Sequence, residues 1–507
     1  MRARRVVCGV MNNRTGSEAR AGITSVSAGR SDWRATALEK LREFLDDHRV
    51  KAKTGPRAFE EFERELHARM MDVERDVLAA EMCELDVDAA AVVIEGVVHR
   101  RVLRQSQTYM TAAGEVVVER TLYKNRADAE AICVSPMELQ LGIIGNFWTP
   151  RAAQQALWVI SQMTAKKSAE MFERMGGMSP SKSSLDRLPK EVSKRWEEDR
   201  EAFEQLLRDG IEIPEDAVSI TVSLDGVLAP LDGGNRPLDV RMNAAREGRT
   251  SKGPAGYREI GCATVAFCDA KGDLLSAIRI ARAPEPKKAT LKEMLAAEVA
   301  AIVALKPDLK VMKVADGALD NWAFLASDQL PPGEEAIDFY HATEHLHDAI
   351  AEVYGDGTLD TRHRYEKLRE TLRDEPEGAA KTIRALAHLR AKHPGKKKLK
   401  TELAYFRKNR KRMRYAELKA KGLMIGSGIV EAACKTLVTQ RLKQSGMRWT
   451  SIGAQAVLTA RGWDQSERFD TAWALIAATY HAEVTVLNNV IAIKPKPEPQ
   501  TRRSASR

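Results

Sequence analysis

The sequence has few cysteines and no long apolar run, and both absences exclude classes of protein. Its six cysteines among 507 residues form no CxxC pair, which argues against a zinc site or a disulfide framework. The apolar stretch at residues 473–493 is interrupted by His, Glu and Asn, so no membrane span is expected. The apolar residues 6–11 are too few for a secretory signal. The sequence therefore predicts a cytoplasmic, bacterial protein, associated with the nucleoid rather than with a membrane.

Positive charge is concentrated in one part of the chain. The net charge is +9, yet residues 390–450 alone contain 18 Lys or Arg and only three acidic residues. Aromatic side chains are interspersed with these cations, whereas a solvated helical face would not need them. Cations neutralise phosphates and aromatic rings stack on bases, so this segment predicts nucleic-acid binding. The predicted phosphate contacts are Arg412, Arg414, Arg441, Lys443 and Arg448.

Trp449 lies between Arg448 and Thr450, just after this basic stretch. An exposed indole at that position could stack on a base turned out of a DNA duplex. A tryptophan packed in the core is the alternative, and the sequence does not decide between the two.

Composition and periodicity predict an α/β protein made of six segments. They are a disordered N-terminus (1–31), a mainly helical DNA-binding region with a β-hairpin (32–210), the first part of an RNase H-like core (219–341), a helical insertion (342–425), the rest of the core (426–470), and a C-terminal helix with a disordered basic tail (471–507).

The N-terminal region contains two recognisable patterns. Residues Thr108–Lys124 have β-type runs on either side of Ala113-Gly114, which predicts a hairpin. Residues Ala165–Val192 predict a helix, a glycine turn and a second helix capped by Ser179, with Lys182 at the end that would meet DNA. A plain helical hairpin is the alternative for the second pattern.

The core prediction comes from the order of its elements. Three β-rich runs begin at Ser219, and alternating helix and strand patterns follow as far as residue 340. Three antiparallel strands followed by such an alternation describe an RNase H-like sheet, in which the first and fourth strands are neighbours.

Three carboxylates in this core fit two-metal phosphodiester chemistry, which requires acidic side chains that converge from different elements. Asp225 lies in the first strand and is expected where that strand runs out into a glycine. Asp316 follows the fourth strand, and Glu431 lies in the first turn of a helix after the insertion. Each aspartate could instead be a turn residue, and Glu431 could merely complete a helix N-terminal box. Asp232 and Asp320 are the competing aspartates.

The segment GLMIGSGIVEAACKTLVTQRLKQSGMRWT, Gly422–Thr450, resembles the C-terminal signature of ISKra-family DDE transposases, which are related to Mutator-type transposases. SLDGV, VADGALDNW and IDFYHATEHL resemble other blocks of that family, in the same order. The resemblance covers about residues 114–470, and its C-terminal block is highly specific. It implies an RNase H-like nuclease core interrupted by an all-α insertion, with Asp225, Asp316 and Glu431 as the catalytic triad.

The resemblance also directs attention to Asp338 and His341, a D-x-x-H element of unsettled role in several DDE transposase groups. From the residues alone, His341 follows a strand-like Phe339 and could position a carboxylate or a phosphate, or could be a buried core histidine. Glu344 and His347 have the E-x-x-H spacing of helical metal sites, but no second such motif accompanies them.

Together, these expectations predict a transposase that cleaves and joins DNA at the terminal inverted repeats of a bacterial insertion sequence. Two Mg²⁺ ions, with Mn²⁺ able to substitute, are the expected cofactors. Double-stranded DNA, both inverted repeat and target, is the expected partner, and joining two ends requires at least a homodimer on DNA. The alternatives are an RNase H-like junction nuclease and a domesticated, inactive DNA-binding protein.

Overall fold

A computed structural model describes residues 25–26, 33–54, 58–231, 242, 245–248 and 256–487. The protein is a mixed α/β protein with two five-stranded sheets. It divides into two compact units: unit 1 consists of residues 1–149, 175–179 and 481–507, and unit 2 of residues 150–174 and 180–480. The division after Thr149 falls inside the region 32–210 that the sequence predicts as one. Within the described part of the chain, no helix is both long and apolar enough to cross a membrane.

Unit 1 combines three helices with a mostly antiparallel sheet in the order β1-β4-β3-β2-β10. Its elements are β1 (Ser25–Val26), α1 (Trp33–Thr54), α2 (Phe59–Glu84), β2 (Ala91–Ile94), β3 (Val97–Thr111), β4 (Gly114–Lys124), α3 (Pro136–Leu141) and β10 (Val484–Val486). The predicted hairpin is confirmed as β3–β4, although β3 begins eleven residues before Thr108. β1 lies in the N-terminal segment predicted to be disordered, and β10 lies in the C-terminal segment 471–507, where only a helix and a disordered tail were expected. Residues 1–24 and 488–507 are outside the described residues.

Unit 2 is built on a sheet in the order β7-β6-β5-β8-β9. The strands are β5 (Ser219–Pro230), β6 (Tyr257–Cys268), β7 (Leu274–Arg282), β8 (Lys310–Ala315) and β9 (Glu334–Ile337). The first three are antiparallel, while β8 and β9 run parallel to β5. The predicted succession of strands is therefore confirmed, including the pairing of the first strand with the fourth.

Helices cover both faces of this sheet. Outside the insertion they are α4 (Pro150–Gln162), α5 (Ala165–Met175), α6 (Lys182–Glu198), α7 (Arg200–Asp209), α8 (Ala289–Leu305), α9 (Leu319–Leu325), α15 (Gly428–Ala433), α16 (Gln440–Leu442), α17 (Ser451–Gln465) and α18 (Phe469–Ala478). Because side chains alternate along a strand, Ile220, Val222 and Leu224 of β5 pack on the side of α8. The opposite face carries Cys262 and packs against α15 and α17.

The helical pattern from Pro150 onward is confirmed, but the second helix of the predicted helix-turn-helix starts later than expected. Ser181, not Ser179, is its N-cap, and the Ser181 hydroxyl accepts a hydrogen bond from the Ser184 backbone N–H at 3.1 Å. The buried face of α6 packs against α4 and α17, which leaves Lys182 exposed at its first turn.

The stretch between β9 and α15 is an all-helical insertion, as predicted. Its helices are α10 (Phe339–Tyr354), α11 (Leu359–Asp374), α12 (Gly378–Lys392), α13 (Lys397–Asn409) and α14 (Tyr415–Ala420). Leu346, Leu386 and Phe406 belong to the same apolar core as the sheet. The Tyr415 hydroxyl donates to the Ile337 carbonyl at 3.0 Å, which fixes the end of the insertion to β9.

Candidate active site

Three aspartates form a row across three adjacent parallel strands, at the carboxyl ends of β8 and β9 and at the same level within β5. The register between β5 and β8 ends at Ser223 and Val314, and Asp225 and Asp316 each lie two residues further along. The register between β8 and β9 ends at Ala315 and Ile337, and the next residues are Asp316 and Asp338. Neighbouring strands are about 4.8 Å apart, so the three aspartates lie side by side. Open sheets bind ligands at this end of their strands.

Asp225 lies within β5 rather than at its end, because the strand continues to Pro230. One carboxylate oxygen accepts the Gly226 N–H at 2.7 Å, and the other accepts the Cys434 thiol at 3.7 Å. Burial raises the pKa of Asp225, and the neighbouring Asp316 raises it further. A Cβ on Gly226 would lie 2.1 Å from Glu259 Oε1, so any other residue there would require the Glu259 side chain to move.

Asp316 directly follows β8 and is held by neighbouring donors. Its Oδ1 accepts from the Ala318 backbone N–H at 3.1 Å and from Asn321 Nδ2 at 3.2 Å. The same Asn321 amide donates to the Leu224 carbonyl at 3.2 Å and so links the end of β8 to the middle of β5. The competitor Asp320 is exposed and ion-paired with Lys292 at 3.0 Å. Asp232 lies outside the described residues.

The D-x-x-H element is a helix cap. The predicted strand ends at Ile337, and Phe339 begins α10 instead of continuing the strand. Asp338 Oδ1 accepts from the His341 backbone N–H at 2.9 Å, which is the three-residue spacing of an N-cap. Asp338 is buried, whereas the His341 side chain is largely exposed and therefore not a core histidine.

Glu431 is connected to this row through Ser427. The Ser427 backbone N–H donates to Asp338 Oδ2 at 2.5 Å, and its hydroxyl contacts both Asp338 Oδ2 and, at 3.0 Å, Glu431 Oε1. Glu431 lies in the first turn of α15, as predicted. Burial raises its pKa, and the charges of Asp338 and Asp225 add to the rise. Four carboxylates from β5, β8, the α10 cap and α15 therefore act on one another.

Helix α15 continues through a π-helical turn, Cys434–Thr439, into α16. Single π turns are rare and occur frequently at functional sites. The inner side of this helix places Cys434 against Asp225, while Glu431, Lys435 and Lys443 are exposed on its outer side. A cationic surface thus begins at the candidate catalytic glutamate.

Tyr405 of the insertion helix α13 lies beside the same row. A Cβ on Gly317, the residue after Asp316, would be 2.7 Å from the Tyr405 ring, so only glycine fits there. The Tyr405 hydroxyl is buried and has no hydrogen-bond partner among the described residues. Burial raises the pKa of its phenol, and Asp316 and Asp338 add to the rise. In the sequence, Tyr405 is distinguished only as one of the aromatic residues within the basic segment 390–450.

Two of the predicted phosphate contacts are instead ion-paired within the protein. Arg412 bonds Glu335 at 2.7 Å and lies over the Trp322 ring at 4.0 Å. Arg414 bonds Glu334 at 2.7 Å. Both arginines attach the end of the insertion to the edge strand β9.

Arg441 and Trp449 are structural as well. Arg441 is 2 % exposed, donates to the Ile160 carbonyl at 3.1 Å, and its burial lowers the pKa to about 10. Its guanidinium lies 4.9 Å from the Trp449 ring centre, and the indole N–H donates to the Leu442 carbonyl at 3.1 Å. The structure thus corrects the assignment of Arg441 to the DNA-facing surface and favours the core reading of Trp449.

Lys182, Lys443 and Arg448 are exposed and form no ion pair among the described residues. Helix α6 adds three more exposed, unpaired cations, Arg187, Lys190 and Lys194, together with the acidic Asp186 and Glu191. Lys190 lies against the start of α17, where a Cβ on Gly453 would be 3.6 Å from its Cε. Lys190 of α6 therefore lies on the same surface of unit 2 as the start of α17 and the loop before it, residues 443–450.

The E-x-x-H pair forms no site. Glu344 lies 3.7 Å from His341, and His347 lies 3.7 Å from Asp356, so the two side chains have different partners. Across the described residues, no group of three His, Cys, Asp or Glu side chains is already arranged to hold a metal ion.

Comparison of the sequence with protein-family models finds no matching family, and comparison with curated proteins finds no significant relative. The functional assignment therefore depends on the arrangement of these residues.

Proposed function

We propose that this protein is a DNA transposase with an RNase H-like core, which cleaves DNA at inverted repeats and joins the ends to target DNA. The observation that carries the proposal is the in-register row of Asp225, Asp316 and Asp338, with Glu431 presented to it by α15. Asp338 is buried and Asp225 and Asp316 are half-buried, and carboxylates set side by side repel one another, so the row is a feature expected of a site that binds cations.

The donor chemistry of this row fits a hard divalent cation such as Mg²⁺, because it supplies oxygen ligands only. Burial and mutual repulsion raise the pKa of Asp225 and Glu431, and a bound cation would relieve that repulsion. Since no ready-made group of three ligands exists among the described residues, binding requires side-chain rotation. Asp225, Asp316 and Glu431 would hold the metals, which would activate the attacking oxygen and stabilise the leaving one.

The protein's own residues prepare this chemistry. Asn321 keeps Asp316 at the end of β8 and ties it to β5. Ser427 orients Glu431 towards the row. In each cycle the oxygen of a water, and later of a DNA 3′-hydroxyl, attacks phosphorus while the bond from phosphorus to the departing 3′-oxygen breaks, and a proton ends on that oxygen.

The exposed cations support DNA as the substrate. Lys435 and Lys443 follow Glu431 in the chain and are exposed, and Lys190 of α6 lies on the surface that adjoins the 443–450 loop. Unpaired lysines and arginines can neutralise phosphates without first breaking an internal ion pair. A junction nuclease would use the same carboxylates, but the inserted α10–α14 domain that carries Tyr405 beside them exceeds what simple hydrolysis needs.

The test is strand cleavage and joining on labelled DNA that carries the inverted repeats flanking the coding sequence. Wild-type protein is compared with Asp225→Asn, Asp316→Asn and Glu431→Gln, in Mg²⁺ and in EDTA. We expect every variant, and EDTA, to reduce cleavage by at least about 10³-fold, because each carboxylate takes part in holding the metals. Asp320→Asn is the matched control and should retain activity.

DNA binding by each variant is measured in parallel to show that folding is intact. Full cleavage by any triad variant would remove that residue from the site. Specific end binding without cleavage by the wild-type protein would favour the domesticated DNA-binding protein instead. Hydrolysis of branched DNA without end joining would favour the junction nuclease.

A further inference from the structure

We infer that the Tyr405 hydroxyl is a hydrogen-bond donor to a phosphate oxygen of the DNA bound at the aspartate row. The inference rests on the proposed function and extends the site to the helical insertion, which no part of the triad occupies. Its basis is the position of the tyrosine and the absence of any partner for its hydroxyl.

The insertion holds the Tyr405 ring over the end of β8. The ring fills the space that a side chain on Gly317 would need, so the hydroxyl lies next to the residue that follows Asp316. On its other face the ring stacks on His345, with centroids 3.8 Å apart. Two helices, α10 and α13, therefore fix the ring in place.

Several carboxylate oxygens around the hydroxyl already accept from other donors. Glu402 bonds His345 Nδ1 at 2.6 Å, and both oxygens of Asp338 are occupied by the His341 N–H and by Ser427. Asp316 Oδ1 accepts from Ala318 and Asn321. Among the described residues, no oxygen accepts a hydrogen bond from the Tyr405 hydroxyl.

A buried hydroxyl without a partner has a cost of about 1–3 kcal/mol. A buried hydroxyl without a partner is expected where a ligand supplies the missing acceptor. Burial keeps this phenol protonated and therefore able to donate, and DNA phosphate oxygens are strong acceptors. A hydrogen-bond donor that is already in position stabilises the negative charge that develops on a phosphate oxygen during the reaction.

Tyr405→Phe tests the inference because it removes the hydroxyl and keeps the ring. Tyr480→Phe is a matched control, since the Tyr480 hydroxyl is also buried and without a partner among the described residues, beside Arg195 and Glu191. The full-length proteins are compared by thermal unfolding without DNA, by binding to inverted-repeat duplex in Ca²⁺, and by cleavage in Mg²⁺.

We expect neither variant to unfold at a lower temperature than wild type, because each loses an unsatisfied group. Tyr405→Phe alone should bind the duplex more weakly and cleave it at least about tenfold more slowly, the scale for one donor to an anionic oxygen. A lower unfolding temperature only for Tyr405→Phe would indicate a structural water on the hydroxyl and overturn the inference.

Equal binding and cleavage by Tyr405→Phe and wild type would overturn the inference while leaving the proposed function intact. Absence of metal-dependent cleavage by the wild-type protein would overturn the proposed function, and the inference with it.

Discussion

Asp225 shows at the scale of a single residue how a site can conflict with stability. Its strand neighbours are apolar or small, and the charge of Asp316 repels it, so burial and repulsion both favour its protonated form. The position of this aspartate in SLDGV is visible in the sequence, but the surroundings of the glycine after it are not. A Cβ on Gly226 would meet the Glu259 side chain, which comes from a different strand and leaves no local signal.

Replacement of Asp225 by Asn should make the metal-free protein more stable at neutral and higher pH. A carboxyl whose folded-state pKa is raised contributes stability below its unfolded pKa, and that contribution is lost as the pH rises through the folded pKa. Asparagine cannot ionise, so its advantage in thermal unfolding midpoint should be largest near pH 8 and shrink towards pH 4. Asp320→Asn, at an exposed ion pair, is the control.

A midpoint for Asp225→Asn that stays at or below that of wild type at pH 8 would show that the Asp225 carboxylate is not under strain. Addition of Mg²⁺ should raise the midpoint of the wild-type protein and leave that of the variant unchanged, because a ligand stabilises only the state that binds it.

At the scale of elements, the decisive contact joins the start of α10 to the start of α15. Ser427 and Asp338 are separated by 88 intervening residues, which form the whole insertion, yet they are hydrogen-bonded and buried. The Phe339 N–H also donates to the Ile425 carbonyl at 3.0 Å, immediately beside this contact. The two ends of the insertion therefore lie next to each other at the core. Glu431 follows directly after the second end, so this contact determines its position.

Ser427→Ala should lower stability and activity together. The variant loses the hydroxyl that contacts Asp338 and Glu431, and a buried hydrogen bond to a charged group contributes about 1.5–3 kcal/mol. Ser427→Thr, which retains a hydroxyl, should recover most of the loss in both the unfolding midpoint and DNA cleavage. Wild-type stability of Ser427→Ala would show that this contact does not hold the two helices together.

Across the whole molecule, patterns with a local period were predictable and long-range contacts were not. The order of β5 to β9, the hairpin and the all-helical insertion follow from periodicity and turn residues, and each is confirmed. The boundaries were less reliable, as the Ser181 cap and the continuation of β5 to Pro230 show.

The charge of a residue does not show whether its side chain is buried or ion-paired. The sequence therefore predicts more DNA contacts in the basic segment than the structure leaves available. Arg441 is a core cation bonded to a carbonyl from α4, and Arg412 and Arg414 pair with carboxylates of β9. The partners of these arginines are about 80 to 280 residues away in the chain. The composition of a local segment therefore cannot show that they are paired. The side chains that remain available to DNA, such as Lys443 and Arg448, are therefore a minority of the predicted set.

The position of Mn²⁺ in crystals of the protein, located by anomalous scattering, tests the central claim most directly. We expect Mn²⁺ within about 2.2 Å of carboxylate oxygens of both Asp225 and Asp316, at the distance that hard cations prefer, and its loss in Asp225→Asn crystals. Saturating Mn²⁺ that binds only elsewhere, or that binds equally without the Asp225 carboxylate, would contradict a metal-dependent nuclease site between Asp225 of β5 and the end of β8.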